Sequence, residues 1–363
     1  MRSCGASGRC TIENAPVTNS PALTSNAELR KALTRRASVR PVEVLFAGLC
    51  RASAWSSLAI LCLLLGTVVW QAWGFLDWQF LTSFDSQRPE LAGIWAGLLG
   101  TTWMISLTFL MAIPVGVGAA VYLEEYARDT WIVRFIRVNL SNLAGVPSIV
   151  YGILGLTVFV RMFDVFAREG LITRIKGEQI EAIMIAGVEI PLPLGSTLIA
   201  GALTMSLLIL PVIIVATQEA LRAIPSSLRH ASLALGATRW QTVRYQVLPC
   251  AVPGIMTGII LSISRAIGET APLIVVGAVG FARFAPGKIG SIKDLVDHPS
   301  GLLQAPFGKY TVMPVQIFNW VGQARQEFQS VAAAGILVLL FMLLLLNGVA
   351  ITIRNRYQKN LRW

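Results

Sequence analysis

The sequence predicts an all-α integral membrane protein with six transmembrane helices. Of its 363 residues, 55% are hydrophobic and 13% are charged, and its mean hydropathy is +0.65, which is too apolar for an ordinary soluble domain. Six nearly uncharged runs are each long enough to cross a hydrocarbon core of about 30 Å as a helix. These runs lie at about 54–74, 93–121, 141–160, 196–217, 251–280 and 330–353.

The chain carries a net charge of +11, but its basic residues are spread beside the apolar runs rather than gathered in one patch. This distribution indicates contact with membrane lipid and no binding of nucleic acid. The five cysteines have no metal-binding spacing, and the only histidines are His230 and His298, so we expect no metal site, no cofactor and no catalytic residue. The chain also lacks a phosphate-binding loop, so any ATP must bind to another chain.

Four segments are predicted along the chain. Residues 1–42 lack hydrophobic periodicity and are expected to form a disordered cytoplasmic tail, because the first apolar run begins after residue 53, too late for a signal peptide. Residues 43–92 hold the first transmembrane helix and an outside loop, and 93–353 form a domain of five helices. Residues 354–363 form a basic cytoplasmic tail.

The distribution of charge predicts the orientation in the plasma (inner) membrane. With the first tail inside, the inside segments contain 19 Lys and Arg against 7 acidic residues, and the outside segments contain 10 against 11. Since basic residues are enriched in cytoplasmic loops, both termini and the loops at about 122–140 and 218–250 are expected to be cytoplasmic.

Prolines and small residues mark the predicted spans as bent and closely packed. They are Pro114, Pro147, Pro211 and Pro272 and the pairs Gly93/Gly97 and Gly254/Gly258. Outside the membrane, Ala186-Gly187 between two apolar-rich runs indicates a small hairpin, and the segment at 311–330 indicates a helix that returns towards the last span.

The loop at 218–250 is the most structured of the cytoplasmic segments. Its pattern indicates two short helices joined at Gly236, which would take the left-handed conformation, with Thr238 and Gln241 forming a capping box for the second helix. We call this segment the elbow.

In the second helix of the elbow, the spacing places Trp240, Val243 and Val247 on one face, and Leu248-Pro249 is expected to end the helix. An amphipathic connector lying on the lipid surface is the alternative interpretation of the whole elbow.

Two charges lie inside the fifth run. Arg265 is at its midpoint, and Glu269 follows one helical turn later. A lone charge at membrane depth is unfavourable by roughly 2.5 to 3.5 kcal/mol, so both must face a partner, a cavity or a pathway. Either they form a structural ion pair, or Arg265 meets an anionic substrate and Glu269 holds the arginine in place.

The elbow resembles the coupling loop of binding-protein-dependent ABC importers. The family pattern is matched at Ala231, Gly236 and Leu248-Pro249, while His230 replaces the family's Glu and Gln246 replaces its apolar residue. Glu219 and Ser232 belong to the same segment. The resemblance implies that the elbow docks onto a separate ATPase subunit.

Four further segments resemble the A-type permease of bacterial phosphate-specific transport. They are VYLEEYA at 121–127, NLAGVPSIVYG at 142–152, SRAIGETAPL at 264–273 and MPVQIFNW at 313–320. The resemblance implies the type I ABC importer permease fold with a cytoplasmic coupling-helix loop. It also implies a second related permease subunit, two ATP-binding subunits and an outside phosphate-binding protein as partners, and phosphate as the substrate.

Two alternatives to phosphate import remain open at this point. Because a guanidinium recognises any tetrahedral oxyanion, the substrate of such a permease could instead be sulfate or molybdate. An ion-coupled secondary carrier would act without an ATPase, but carriers commonly contain internal repeats and the sequence has no clear repeat.

Overall fold

A computed structural model describes residues 41–161, 182–185, 188–191, 195–286 and 305–359. The expected disorder of the N-terminal tail therefore falls, up to residue 40, outside the described residues. The chain divides into two compact units, residues 1–64 and 65–363. In the first unit the structure describes the beginning of one long helix, and the second unit contains the remaining described elements.

The described elements are almost entirely helical. In chain order the helices are α1 (Pro41–Ala72), α2 (Trp78–Thr82), α3 (Trp95–Val121), α4 (Trp131–Leu143), α5 (Ser148–Gly155), α6 (Leu198–Arg222), α7 (Ser226–Ala234), α8 (Arg239–Thr242), α9 (Leu248–Gly268), α10 (Ala271–Val276), α11 (Met313–Val321) and α12 (Glu327–Lys359). Turns of π-helix follow α3, α5 and α8, at Tyr122–Tyr126, Leu156–Arg161 and Val243–Val247.

Five helices of the described part are long and apolar enough to cross a membrane, and one bent pair is a sixth candidate. The five spans are Leu45–Ala72, Trp95–Tyr126, Leu198–Arg222, Arg239–Gly268 and Glu327–Gln358, and the pair is Trp131–Leu143 with Ser148–Arg161. The prediction of an all-α membrane protein is confirmed. The last helix continues to Lys359, so most of the predicted basic tail at 354–363 is helical.

The third predicted span, 141–160, differs from a single straight helix. The chain breaks after Leu143 and α5 leaves at 109° to α4. Pro147 lies in this break with φ −54° and ψ 135°, outside helical geometry. A proline disfavours helical geometry in the residue before it, here Val146, and has no N–H group to donate to the preceding turn. The part from Ser148 to Arg161 rises about 21 Å at 1.5 Å per residue, less than a full hydrocarbon core.

The fifth predicted span, 251–280, is displaced towards the elbow. One continuous helix runs from Arg239 to Gly268, so Leu248-Pro249 does not end the elbow helix as predicted. The π turn before Leu248 widens the helix, and Pro249 falls within the first turn that follows it, where a missing N–H group is tolerated. The helix ends instead at Glu269, whose backbone is extended.

Helix α6 forms the centre of the bundle, because two thirds of the residues in its most apolar stretch are buried. It packs against α3 and α9. A Cβ added at Gly254 would lie 2.6 Å from the Cβ of Ala220, and one at Gly258 would lie 2.4 Å from that of Ala216. The Gly254/Gly258 pair therefore allows the backbones of α6 and α9 to approach closely.

The second glycine pair has a different neighbour. A Cβ on Gly97 would lie 2.4 Å from Oε1 of Gln316 in α11, and the side-chain nitrogen of Gln316 donates to the carbonyl of Gly93 at 2.9 Å. One turn further into α3, the hydroxyl of Thr101 accepts from the backbone N–H of Met313 at 2.9 Å. The beginning of α3 is thus shaped to receive the short helix α11, which was predicted as a helix before the last span.

The predicted hairpin is confirmed. Strands β1 (Ala182–Ile185) and β2 (Val188–Pro191) pair antiparallel, with Ile185 opposite Val188. The predicted turn at Ala186-Gly187 lies outside the described residues.

Candidate functional site

The elbow has the predicted local structure. Helix α7 ends before Gly236, which has φ +86°, and its N–H group donates to the carbonyl of Leu233. Thr238 and Gln241 form the complete capping box at the start of α8, with hydrogen bonds of 2.8 and 3.3 Å. Since a left-handed residue is required at this turn, the glycine is explained by local geometry.

Two contacts bind the arms of the elbow to each other and to the bundle. The hydroxyls of Ser232 in α7 and Thr242 in α8 lie 3.0 Å apart. Val243 and Val247 are buried, and Val247 packs in a core cluster with Leu221 at the end of α6. The two arms of the elbow therefore fold against each other and against the end of α6, and the elbow is not a loose connector.

The prediction that Trp240 shares one face with Val243 and Val247 is wrong. Trp240 is 57% exposed, although Val243 and Val247 are buried. The π turn begins only at Val243, so the exposure of Trp240 reflects its place in the first turn of α8, at the outer end of the elbow helix. The exposed ring lies instead near Arg244, whose guanidinium carbon is 6.0 Å from the Trp240 ring centre and 5.6 Å from that of Tyr245.

The residues of α7 that align with the family pattern lie mainly on the outer surface of the elbow. His230 and Ala231 are exposed on α7, and Ser232 is half-buried by its contact with α8. Leu235, next to the glycine turn, is 90% exposed. Exposed apolar residues on a rigid segment are typical of a surface that a partner protein covers.

The remaining predicted elbow residues lie at its two ends. Glu219 is in the last turn of α6, where its carboxylate is 3.5 Å from Arg222, and its side chain is 67% exposed. Leu248 and Pro249 are half-buried at the start of α9. They mark the point where the elbow continues into α9.

Arg265 and Glu269 form the predicted ion pair, but not at the middle of a helix. Arg265 is in the last turn of α9 and Glu269 caps the helix, with 3.2 Å between Nε and Oε1. Their side chains are 36% and 18% exposed. Among the described residues, Arg265 donates to Glu269 through Nε.

The segments around this pair come together from distant parts of the sequence. A Cβ on Gly152 would lie 2.7 Å from the Cα of Pro272, so α5 and α10 pack backbone against backbone. On the other side of α9, the hydroxyl of Ser264 lies 3.1 Å from Oδ1 of Asn347 in α12. The segments 142–152 and 264–273, quoted above for the same resemblance, are thus neighbours in space.

Arg265 and the elbow lie at opposite ends of one helix. The continuous run from Arg239 to Arg265 covers about 39 Å at 1.5 Å per residue. A displacement of the elbow therefore acts directly on the helix that carries the charged pair.

A cluster of charges on the elbow side was not predicted. Glu124 and Glu125 lie in the π turn that ends the second span, and Arg137, Arg222 and Arg229 surround them from α4, α6 and α7. The sequence contains one signal, two adjacent acids directly after an apolar run. Their partners at 222 and 229 are about a hundred positions away, so no local pattern pairs them.

The chain belongs to a family of membrane transport components. The profile of the binding-protein-dependent transport system inner membrane component family matches residues 112–362. This range contains the elbow, the charged cluster and the Arg265–Glu269 pair.

The chain is similar to several permease proteins, two of which belong to phosphate transport systems. The chain is 32% identical over 269 residues to the phosphate transport system permease protein PstC of Mesorhizobium japonicum, covering 71% of this chain and 79% of the relative. It is 28% identical over 279 residues to PstA of Yersinia pestis, covering 76% and 78%. It is 34% identical over 227 residues to the probable ABC transporter permease protein YqgI of Bacillus subtilis, covering 62% of this chain and 66% of YqgI, slightly less than two thirds.

Solved structures support the fold. A chain from a bacterial ABC transporter involved in import of the acidic polysaccharide alginate superposes with a TM-score of 0.57 at 15% identity, covering 91% of this chain and 99% of that one. The same kind of transporter in complex with an alginate-bound periplasmic protein gives a TM-score of 0.56 at 14% identity, covering 88% and 96%. The chain has the transmembrane fold of an ABC importer.

Proposed function

We propose that this chain is the permease subunit of an ATP-driven importer that moves inorganic phosphate across the plasma membrane. The observation that carries the proposal is a half-buried arginine, paired with Glu269, in the last turn of the same helix that begins in the elbow. Similarity to phosphate permeases over about three quarters of the chain supports phosphate as the anion.

Arg265 is the residue proposed to meet the substrate. A guanidinium offers several donors in a fixed plane to phosphate oxygens, and it stays charged at any physiological pH. Glu269 would compensate the charge and hold the arginine when no anion is bound. The two residues thus form a site that an anion can enter without leaving a lone charge behind.

The elbow is proposed to dock onto an ATP-binding subunit. Its rigid turn, its exposed Leu235 and its aromatic and basic side chains support a protein partner over a lipid surface. The complete importer would contain this chain, a second related permease, two ATP-binding subunits and an outside phosphate-binding protein. The elbow and both termini would then be cytoplasmic, as the excess of Lys and Arg in these segments favours.

Uptake of labelled phosphate tests the function. Cells that lack their own high-affinity phosphate system would receive the ATPase, the second permease and the binding protein, with or without this chain. We expect ATP-dependent uptake only when the chain is present. Uptake of labelled sulfate or molybdate in place of phosphate would contradict the proposed substrate, and uptake without the ATPase would contradict the proposed class.

A further inference from the structure

Four helices meet at two adjacent carboxylates. Glu124 accepts a hydrogen bond from Nε of Arg222 at 2.9 Å, and its other oxygen is 3.8 Å from Arg137 in α4. Glu125 accepts two short hydrogen bonds from Arg229 in α7, with Nη2 at 2.7 Å and Nε at 3.1 Å from the same oxygen. These contacts connect the end of α3 to α4, α6 and the first arm of the elbow.

Arg229 is held by more than one partner. Besides Glu125, its Nη1 donates to the carbonyl of Ile224 at 2.9 Å and its Nη2 to that of Leu221 at 2.8 Å. These carbonyls belong to the end of α6, where helix geometry leaves acceptors without intrahelical donors. One side chain on the elbow therefore satisfies the terminus of α6 and binds the terminus of α3.

The burial of the pair gives the contact its strength. The side chain of Glu125 is 10% exposed and that of Arg229 is 22% exposed. The exposed pair Arg134–Asp129, at 3.4 Å and with both side chains more than two thirds exposed, is the opposite case. Exposed ion pairs contribute little, whereas removing one partner of a buried, hydrogen-bonded pair is strongly unfavourable.

We infer that Arg229 and Glu125 are positioning residues that transmit movement of the elbow to helix α3. The second arm of the elbow continues directly into α9, and this contact gives the first arm an equally firm hold on α3 and α6. A force applied to the elbow would then move three spans together, including the helix whose last turn carries Arg265. The inference rests on the proposed docking of the elbow to an ATPase, and it adds a route by which that docking is coupled to transport.

The test separates coupling from simple anchoring. The full importer, reconstituted in vesicles with its binding protein, is assayed for ATPase co-purification and for phosphate transported per ATP hydrolysed. The variants are Arg229→Lys, which keeps the charge but loses the planar donor fork, and the double change Arg229→Gln with Glu125→Gln, which leaves no lone charge. Arg134→Gln is the matched control, since it removes the exposed ion pair.

We expect both variants to retain the ATPase while phosphate transported per ATP falls by roughly fivefold or more, the lower end of typical coupling effects. The control should keep the wild-type ratio. The inference is overturned if the ratio is unchanged in Arg229→Lys, or if ATPase binding and transport fall in parallel in every variant that reaches the membrane. A wild-type complex that lacks the ATPase, or that takes up no phosphate, would instead refute the proposed function.

Discussion

At the scale of single residues, the buried polar groups show where charge is tolerated and why. Asp85, between α2 and α3, is 1% exposed, and one of its oxygens accepts from the indole N–H of Trp320 at 2.9 Å. Its other oxygen has no hydrogen-bond partner among the described residues. Burial raises the pKa of Asp85 to about 6 from its ordinary value of 3.8.

The pH dependence of stability should report this raised pKa. The folded state favours the protonated carboxyl of Asp85. Its contribution to the free energy of unfolding is therefore fully present below pH 3.8 and is lost as the pH rises through about 6. The loss is at most about 3 kcal/mol. Thermal unfolding of the protein in detergent, followed by tryptophan fluorescence, should give a midpoint that falls over this range. Asp85→Asn should flatten the dependence, and Asp77→Asn, at an exposed site, should leave it unchanged. An identical slope in wild type and Asp85→Asn would contradict the assignment.

Arg265 gives the second prediction at this scale. Arg265→Gln should leave assembly intact and stop phosphate uptake, and Arg265→Lys should retain part of the uptake, because a point charge replaces the planar donor set. Wild-type uptake in Arg265→Gln would eliminate the pathway role. If instead assembly fails and is restored by adding Glu269→Gln, the pair with its 3.2 Å contact is structural.

At the scale of elements, breaks in helices are the recurring feature of this chain. The third span is broken at Pro147, helix α9 in the fifth span ends at Glu269, and three π turns follow α3, α5 and α8. Two of these π turns lie on the elbow side, where Glu124, Glu125 and Val247 contact neighbouring elements. A π turn changes which face a residue occupies, so these turns orient the groups that link the spans to the elbow.

The turn at Gly236 provides the prediction for the elbow. A Cβ at this position would meet no atom within 4 Å, so the requirement for glycine comes from its φ of +86° and not from space. Gly236→Leu should strain the backbone by roughly 1 to 3 kcal/mol, leave the protein in the membrane and abolish co-purification of the ATPase. Gly236→Asn should keep the ATPase, because asparagine tolerates the left-handed conformation. Equal co-purification of the two variants would count against a required turn.

At the scale of the whole molecule, orientation in the membrane decides which partners each face can meet. The elbow and the charged cluster must face the cytoplasm for an ATPase to reach them. In a variant in which all five native cysteines are replaced, a cysteine at Trp240 should react only after permeabilisation, and one at Glu90 should react from outside. Both positions are exposed in the structure. Outside labelling of position 240 together with protection of position 90 would reverse the topology.

Local chemistry explains what was predictable from the sequence. The apolar runs, the left-handed Gly236, the capping box at Thr238 and the hairpin at 182–191 depend on residues close in the chain, and the structure has all of them. The Arg265–Glu269 contact was also predictable, because positions four apart on a helix are neighbours.

Tertiary packing decided the rest. Glu125 pairs with Arg229, about a hundred positions away, because the ends of α3 and α6 meet at the elbow. A short-range sequence pattern does not predict a contact between such distant residues. The continuous helix through Leu248-Pro249 depends on a π turn that forms beside the end of α6. The cytoplasmic elbow could thus be located from its residues, but the contacts that join it to the spans required the folded bundle, because they connect helix ends and not neighbours in sequence.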